Sequence, residues 1–398
     1  MHEPDARDAL ITGIGLVSCL GEGVDAHWDA LNAAGGFSTV LDSENFPGYP
    51  VHALVKLELD RQIPKRGDQR TMEPWQRIGT YAAGLALEAA GVKGDAALLD
   101  RTDMIVAAGG GERDYAADAA ILSALPHAAD PDILLNERLM SDLRPTLFLA
   151  QLSNLLAGNI SVVHGVVGAS RTFMGEEAAG VDAVRTARAR IAAGQSAICL
   201  VGGSYNAERP DVLLHYEMGR LLWKNPHAGV WARQREGGGM LLGSVGAFLV
   251  IESRAHAAAR GATALARIDA VLSDRCNRAP GAALENAQLQ WDVLKERIDP
   301  ETAAVISGAS GAAAATSEEE HFLRHLDLPV RATASALGHS LEPSFVANVA
   351  LAAIAVSRGK FFPPLEAAEA VMERELRQVL VTGWGHYRGE GLSLVDAA

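Results

Sequence analysis

Cysteine, aromatic residues, positive charge and long apolar runs are all scarce in this chain. Three cysteines (Cys19, Cys199 and Cys276) among 398 residues make neither a disulfide framework nor a zinc-ligand spacing, which fits a reducing compartment. Lys and Arg number 35 against 49 Asp and Glu, a net charge of −14, so no nucleic-acid partner is expected. Nothing approaches the ~20 consecutive apolar residues that a membrane span requires. The opening Met-His-Glu-Pro-Asp-Ala-Arg-Asp has no apolar run of the signal-peptide kind. These absences lead to the expectation of a cytoplasmic protein.

Aromatics reach only 5% while apolar residues make up 48% and glycines number 40, so the interior is built from Ala, Val, Leu and Gly. Small residues suit layers in which helices press closely on sheets. Apolar runs predict strands over 9–17, 104–108, 171–174, 198–203 and 247–252, with helices near 75–90 and 177–193. The pattern then restarts. Strands are predicted over 264–272, 303–307, 330–333, 378–383 and 392–395, with helices near 283–297, 318–325 and 343–356. Alternation of this kind implies mostly parallel sheets covered on both faces. Two rounds predict two halves, 1–255 and 256–398, packed as one unit.

The segment Gly165-Val166-Val167-Gly168-Ala169-Ser170-Arg171-Thr172-Phe173-Met174-Gly175-Glu176-Glu177 reads as a strand, a turn at Gly175 and the start of a small-residue helix. Free N–H groups and the positive end of the dipole make such a helix start a favourable place for an anion. Glu177 stands there.

Ile11-Thr12-Gly13-Ile14-Gly15-Leu16-Val17-Ser18 with Leu20-Gly21, Asn154 to Gly158, Val201-Gly202-Gly203-Ser204 and Gly338-His339 together resemble the type II β-ketoacyl-acyl-carrier-protein synthases over nearly the whole chain. The resemblance implies a thiolase-like α/β fold: two βαβαβαββ pseudo-repeats in five α-β-α-β-α layers, normally dimeric. It also implies condensation of an acyl chain with malonyl units on carrier protein, through one Cys and two His and without a cofactor or metal. Carried over residue by residue, Glu177 replaces the nucleophilic Cys, Ala309 the first His and Ala334 the family's Lys, while His339 retains the second His. The family's aromatic gate falls on Gly383-Trp384-Gly385-His386-Tyr387-Arg388, which makes Trp384 a substrate-binding candidate.

A carboxylate attacking a thioester would give a mixed anhydride, so Glu177 cannot serve as an acyl carrier. Three uses remain open. Glu177 is a fixed anion at the helix end. It blocks acylation in a chain-length-factor-like partner of a Cys-bearing synthase in fatty-acid or lipid assembly. Or it mimics an acylated state and, with His339, permits malonyl decarboxylation or acyl transfer. A homodimer that only binds acyl chains or carrier protein is a further reading.

Cys276 lies on a polar loop, Ser273 to Arg278, and is a candidate for the border of a channel mouth. Lys65, Arg66 and Arg70 form a basic patch in an acidic chain, which the resemblance marks as the dock for acyl carrier protein. His321 and His325 share a helix face but lack the intervening Glu of a metalloprotease, so no metal is expected. Gly13-Ile14-Gly15 lacks a third glycine for a dinucleotide, and no Lys-Ser or Lys-Thr follows Gly237-Gly238-Gly239.

Overall fold

The computed structural model describes residues 4–33, 36–38, 41–143 and 147–398, with the backbone alone at 149–150. Residues 1–3 of the N-terminal stretch read above lie outside the described residues.

Ten principal strands follow one another as β1 (Ala9–Ser18), β2 (Asp103–Ala107), β3 (Ser170–Phe173), β4 (Ile198–Tyr205), β5 (Val245–Ser253), β6 (Ala266–Asp274), β7 (Ala303–Ser307), β8 (Val330–Ala332), β9 (Gln378–Trp384) and β10 (Glu390–Asp396). Their spatial order is β8-β7-β9-β10-β6-β1-β5-β4-β2-β3. Read outward from the β6–β1 junction, the two sides have the same connectivity. On the first side β2 pairs parallel with β3 and β4, and the β4–β5 and β5–β1 pairs are antiparallel. On the second side β7 pairs parallel with β8 and β9, and β9–β10 and β10–β6 are antiparallel. The halves meet where Ala9, Leu10 and Ile11 of β1 pair with Ile268, Arg267 and Ala266 of β6. Strands β1, β2, β4 and β7 are buried throughout, which is why they read as continuous apolar runs rather than as alternation.

Helices α1 (Pro74–Ala89), α2 (Leu155–His164), α3 (Glu177–Ala192), α4 (Ala282–Leu294), α5 (Ala313–Arg324) and α6 (Ser344–Ser357) fill the layers. Helices α1 and α2 pack together on the outer face of the first half, α4 and α5 on that of the second, and α3 and α6 lie against each other between them. Every residue of α6 from Phe345 to Val356 is buried, as expected of a helix apolar on all sides. Helix α3 approaches the turn before α6 so closely that a Cβ at Gly180 would meet the Glu342 carbonyl oxygen at 2.4 Å. That contact sets the start of α3 beside the loop carrying His339.

Predicted boundaries differ from the observed ones in a few places. Helix α5 begins at Ala313, five residues before its charged Glu318-Glu319-Glu320 run, because Ala313 to Ser317 bring no charge or period that marks a start. The last predicted turn of α4, Lys295–Arg297, is a 3-10 turn. Helices at Tyr115–Ala124, Pro131–Asp142 and α2 lie between the strands without having been read from the sequence. Among the described residues no helix is long and apolar enough to cross a membrane.

Candidate active site

Glu177 is the first residue of α3, and its side chain is buried at 2% exposure. Glu176 before it has φ 60° and ψ −138°, a conformation that costs a non-glycine residue about 1–3 kcal/mol. This sharp turn from β3 into α3 presents the 177 side chain inward rather than along the sheet.

Two histidines converge on it. His339 Nε2 is 2.8 Å from Glu177 Oε1, and His386 Nδ1 is 3.0 Å from the same oxygen. An ionised carboxylate only accepts, so both ring nitrogens carry the proton and donate. His339 is held in place from its backbone: its N–H donates to the Leu241 carbonyl at 2.7 Å, and its own carbonyl accepts from Gly243 N–H at 2.9 Å. His386 comes from the loop joining β9 to β10, and its ring stands edge-on to Tyr216, with centroids 5.6 Å apart. Burial by itself raises the Glu177 carboxyl, yet the hydrogen bonds from His339 and His386 outweigh it and hold the group well below the usual carboxylate range. Burial opposes the charged form of His386, but Glu177 overcomes this and raises it above the ordinary histidine value. Glu177 Oε2 is buried without a partner among the described residues.

These energetics decide what the carboxylate can do. A general base works best with a pKa near the operating pH. Glu177 is a stable anion held by two histidine donors, so it is a weak base. Both imidazoles that face it are already engaged. Glu176, Glu177 and His386 place three possible ligand atoms within 4.8 Å of one another, but the hydrogen bonds already describe Glu177 and His386.

Ala309 follows β7 in a loop fixed by Glu319. That carboxylate accepts from Ser307 Oγ at 2.7 Å, from Gly308 N–H at 3.1 Å and from the Thr382 hydroxyl. Burial pushes Glu319 up to about 7. Ala334 opens a one-turn helix, Ala334–Leu337, and lines with His339 and Asn348 a 20 Å³ space, about the size of one water. The polar groups that the resemblance places at 309 and 334 are thus replaced by methyl groups.

A cavity of 780 Å³ opens beside the site, bordered by Glu176, Tyr205, Tyr216, Leu341, Glu342 and Tyr387 among others. The other sequence-predicted residues stand apart from it. Trp384 ends β9 with its side chain buried at 2% exposure, packed on Phe322 of α5 at 5.9 Å between centroids. Tyr387 and Arg388 of the following loop line the cavity instead. Cys276 is half-buried against the second half's core, with Arg278 Nη1 3.2 Å from its sulfur. Lys65, Arg66 and Arg70 are exposed on and beside a short helix, Arg66–Thr71. His321 and His325 stack on the surface of α5 with centroids 4.9 Å apart. The sequence reading did not single out His386, although the stretch that holds it was quoted for Trp384.

A strand order repeated in the two halves of one large sheet, with α3 and α6 between the halves' outer helices, defines the thiolase-like class. A model of the beta-ketoacyl synthase N-terminal domain matches residues 6–257, and the chain belongs to the β-ketoacyl synthase family. It is 27% identical over 394 residues to the oxytetracycline polyketide beta-ketoacyl synthase 1 of Streptomyces rimosus, covering 92% of this chain and 88% of that one. It is 26% identical over 271 residues to 3-oxoacyl-[acyl-carrier-protein] synthase 2 of Vibrio cholerae, covering 66% of this chain and 62% of that one. Among solved structures, the ishigamide ketosynthase/chain length factor superposes with TM-score 0.80 at 20% identity, over 98% of this chain and 99% of that chain. A type II PKS ketosynthase, solved with its acyl-carrier protein and bound to the hexaketide, gives TM-score 0.71 at 18% identity, over 98% of this chain and 99% of that chain. At these identities the superpositions speak for the fold.

Proposed function

We propose that this chain is the non-condensing partner of a Cys-bearing β-ketoacyl synthase in carrier-protein-dependent acyl-chain assembly, where it shapes the space that receives the growing chain. The observation that carries this reading is the pairing of buried, ionised Glu177 with both His339 and His386. A carboxylate held there as an anion neither carries an acyl group nor leaves an imidazole free to stabilise a carbanion. The cavity beside it supplies room for a chain that begins on another subunit. Strand β3 ends the sheet with one edge unpaired among the described residues, and Phe148, Val162, Val167 and Met174 around it in sequence are exposed. An open edge and exposed apolar side chains favour a subunit contact. Lys65, Arg66 and Arg70 offer positive charge to an acidic carrier protein.

The test is co-expression with a Cys-bearing synthase. A stable heterodimer whose product length changes when cavity residues are altered supports the reading. A homodimer with no effect on product length counts against it. Release of carbon dioxide from malonyl-carrier protein, abolished by Glu177→Ala, would instead establish the decarboxylase reading.

A further inference from the structure

The 780 Å³ cavity has a chemistry of its own. Alongside Trp75, Tyr205 and Tyr216 its border includes Glu342, Arg209 and Asn206, all but buried. Arg209 is held bidentate by Asp211, at 2.7 and 3.1 Å, and also donates to the Gly111 carbonyl at 2.8 Å. Asn206 Nδ2 and Trp75 N–H each donate to Glu112 at 3.1 Å. Those groups are satisfied. Three others are not: Trp75 Nε1, Tyr205 Oη and Glu342 Oε2 are buried without a hydrogen-bond partner among the described residues, and all three residues border this one cavity. A buried polar group left without a partner costs about 1–3 kcal/mol, so a cluster of them at one cavity needs an explanation.

Two of the three donate. The indole N–H has no other option, and the phenol O–H donates or accepts. Glu342 stands against Gly109, where a Cβ would meet its Oε1 at 2.7 Å, and burial together with Glu177 and Glu176 pushes it up to about 7. A substantial share of Glu342 is therefore a carboxylic acid near neutral pH, with an O–H of its own to donate. A saturated hydrocarbon chain satisfies none of these groups.

Resting on the reading that the cavity receives an acyl chain, we infer that Trp75, Tyr205 and Glu342 select chains carrying oxygen functions, keto or hydroxyl, over saturated ones. The chain's oxygens accept from the three donors, and the aromatic faces of Tyr205 and Tyr216 cover its methylenes. No bond forms or breaks; this is a binding site and a specificity filter.

The experiment compares binding of β-hydroxydecanoyl-pantetheine and decanoyl-pantetheine by calorimetry, to the full chain and to its co-purified complex with a synthase. One net hydrogen bond is worth about tenfold, so the hydroxylated probe should bind roughly tenfold tighter or more. Tyr205→Phe and Glu342→Leu should each narrow that preference while leaving decanoyl binding within about twofold. Circular dichroism and thermal melts identify any variant that fails to fold, and Trp75→Phe is the second variant in that event. Equal affinity of the two probes overturns the inference, as does a preference that survives all three substitutions. If neither probe binds the chain or a complex that does form, the cavity inference falls while the partner reading stands. If no complex forms but the preference is seen on the chain alone, the partner reading falls instead.

Discussion

His386 Nδ1 stands 3.0 Å from Glu177 Oε1, the oxygen that His339 Nε2 also approaches, at 2.8 Å. Two side chains more than 150 positions downstream therefore converge on one atom at the start of α3. Where the family resemblance sets a thiol, this chain has a negative charge that two histidines hold by hydrogen bonds.

Glu177→Gln should destabilise the protein by on the order of 3 kcal/mol, as removal of one member of a buried ion pair does. The pH dependence follows from the two shifts. Glu177 is depressed, so its contribution is present above the ordinary Glu value of 4.5 and is lost as pH falls below it. His386 is raised, so its contribution is present below the ordinary His value of 6.5 and is lost as pH rises beyond it. The difference between wild type and variant should therefore peak between those values and shrink on either side. Urea unfolding across that range checks it; a difference independent of pH would show that Glu177 is not held as an anion.

Glu319→Gln should behave in the opposite sense to a lost ion pair. Burial raises Glu319 from 4.5 to about 7, so the stability present with the protonated acid is lost as pH rises through that interval. A glutamine keeps an oxygen for Ser307, Gly308 and Thr382 and has no charge to desolvate. Its stability relative to wild type should thus rise by roughly 2 kcal/mol from about pH 5 to about pH 8. A flat difference in urea midpoints would mean that Glu319 is ionised throughout.

Much of the frame was legible before any coordinates. The buried strands announce themselves as continuous apolar runs, and the second appearance of the same run of elements gave the repeat. Glu177 and His339 were legible because motif spacing fixes them. His386 was not, because the pairing of β9 with β10 decides which residue of their connecting loop turns inward. Trp384 ends β9 facing α5, and two residues further on the chain has turned toward α3. Trp75, Tyr205 and Glu342 were equally hidden: each sits in an apolar or turn-like stretch, and the lack of a partner is a property of the folded neighbourhood. Helix α2 escaped because Leu155 to His164 mixes small and branched residues without a strong apolar stripe. It closes at Gly165, whose φ of 78° forms the left-handed cap.

Reversing Lys65, Arg66 and Arg70 to Glu should weaken carrier-protein binding by on the order of tenfold at low salt, mostly through the association rate. These side chains are exposed, so the loss should fade as ionic strength shortens the Debye length. Titration of an acyl carrier protein at two salt concentrations measures both effects. Unchanged affinity rejects the patch as the dock.

Glu177→Cys is the sharpest test of the non-condensing reading. The substitution places a thiol at a helix start with His339 and His386 in reach, conditions that favour a thiolate. The introduced thiol should therefore react with iodoacetamide faster than Cys199, whose thiol burial pushes up to about 11. Condensation is another matter. Decarboxylation of a malonyl group needs a donor to stabilise the carbanion, and methyl groups occupy 309 and 334, where the resemblance places a His and a Lys. His339 alone remains of that set. The variant should accept an acyl group from carrier protein, detectable by intact-protein mass spectrometry, yet form no new carbon–carbon bond when malonyl-carrier protein is added. Elongated product from the single substitution would show that His339 and His386 suffice, and that the wild-type carboxylate is the only barrier between this chain and a working synthase.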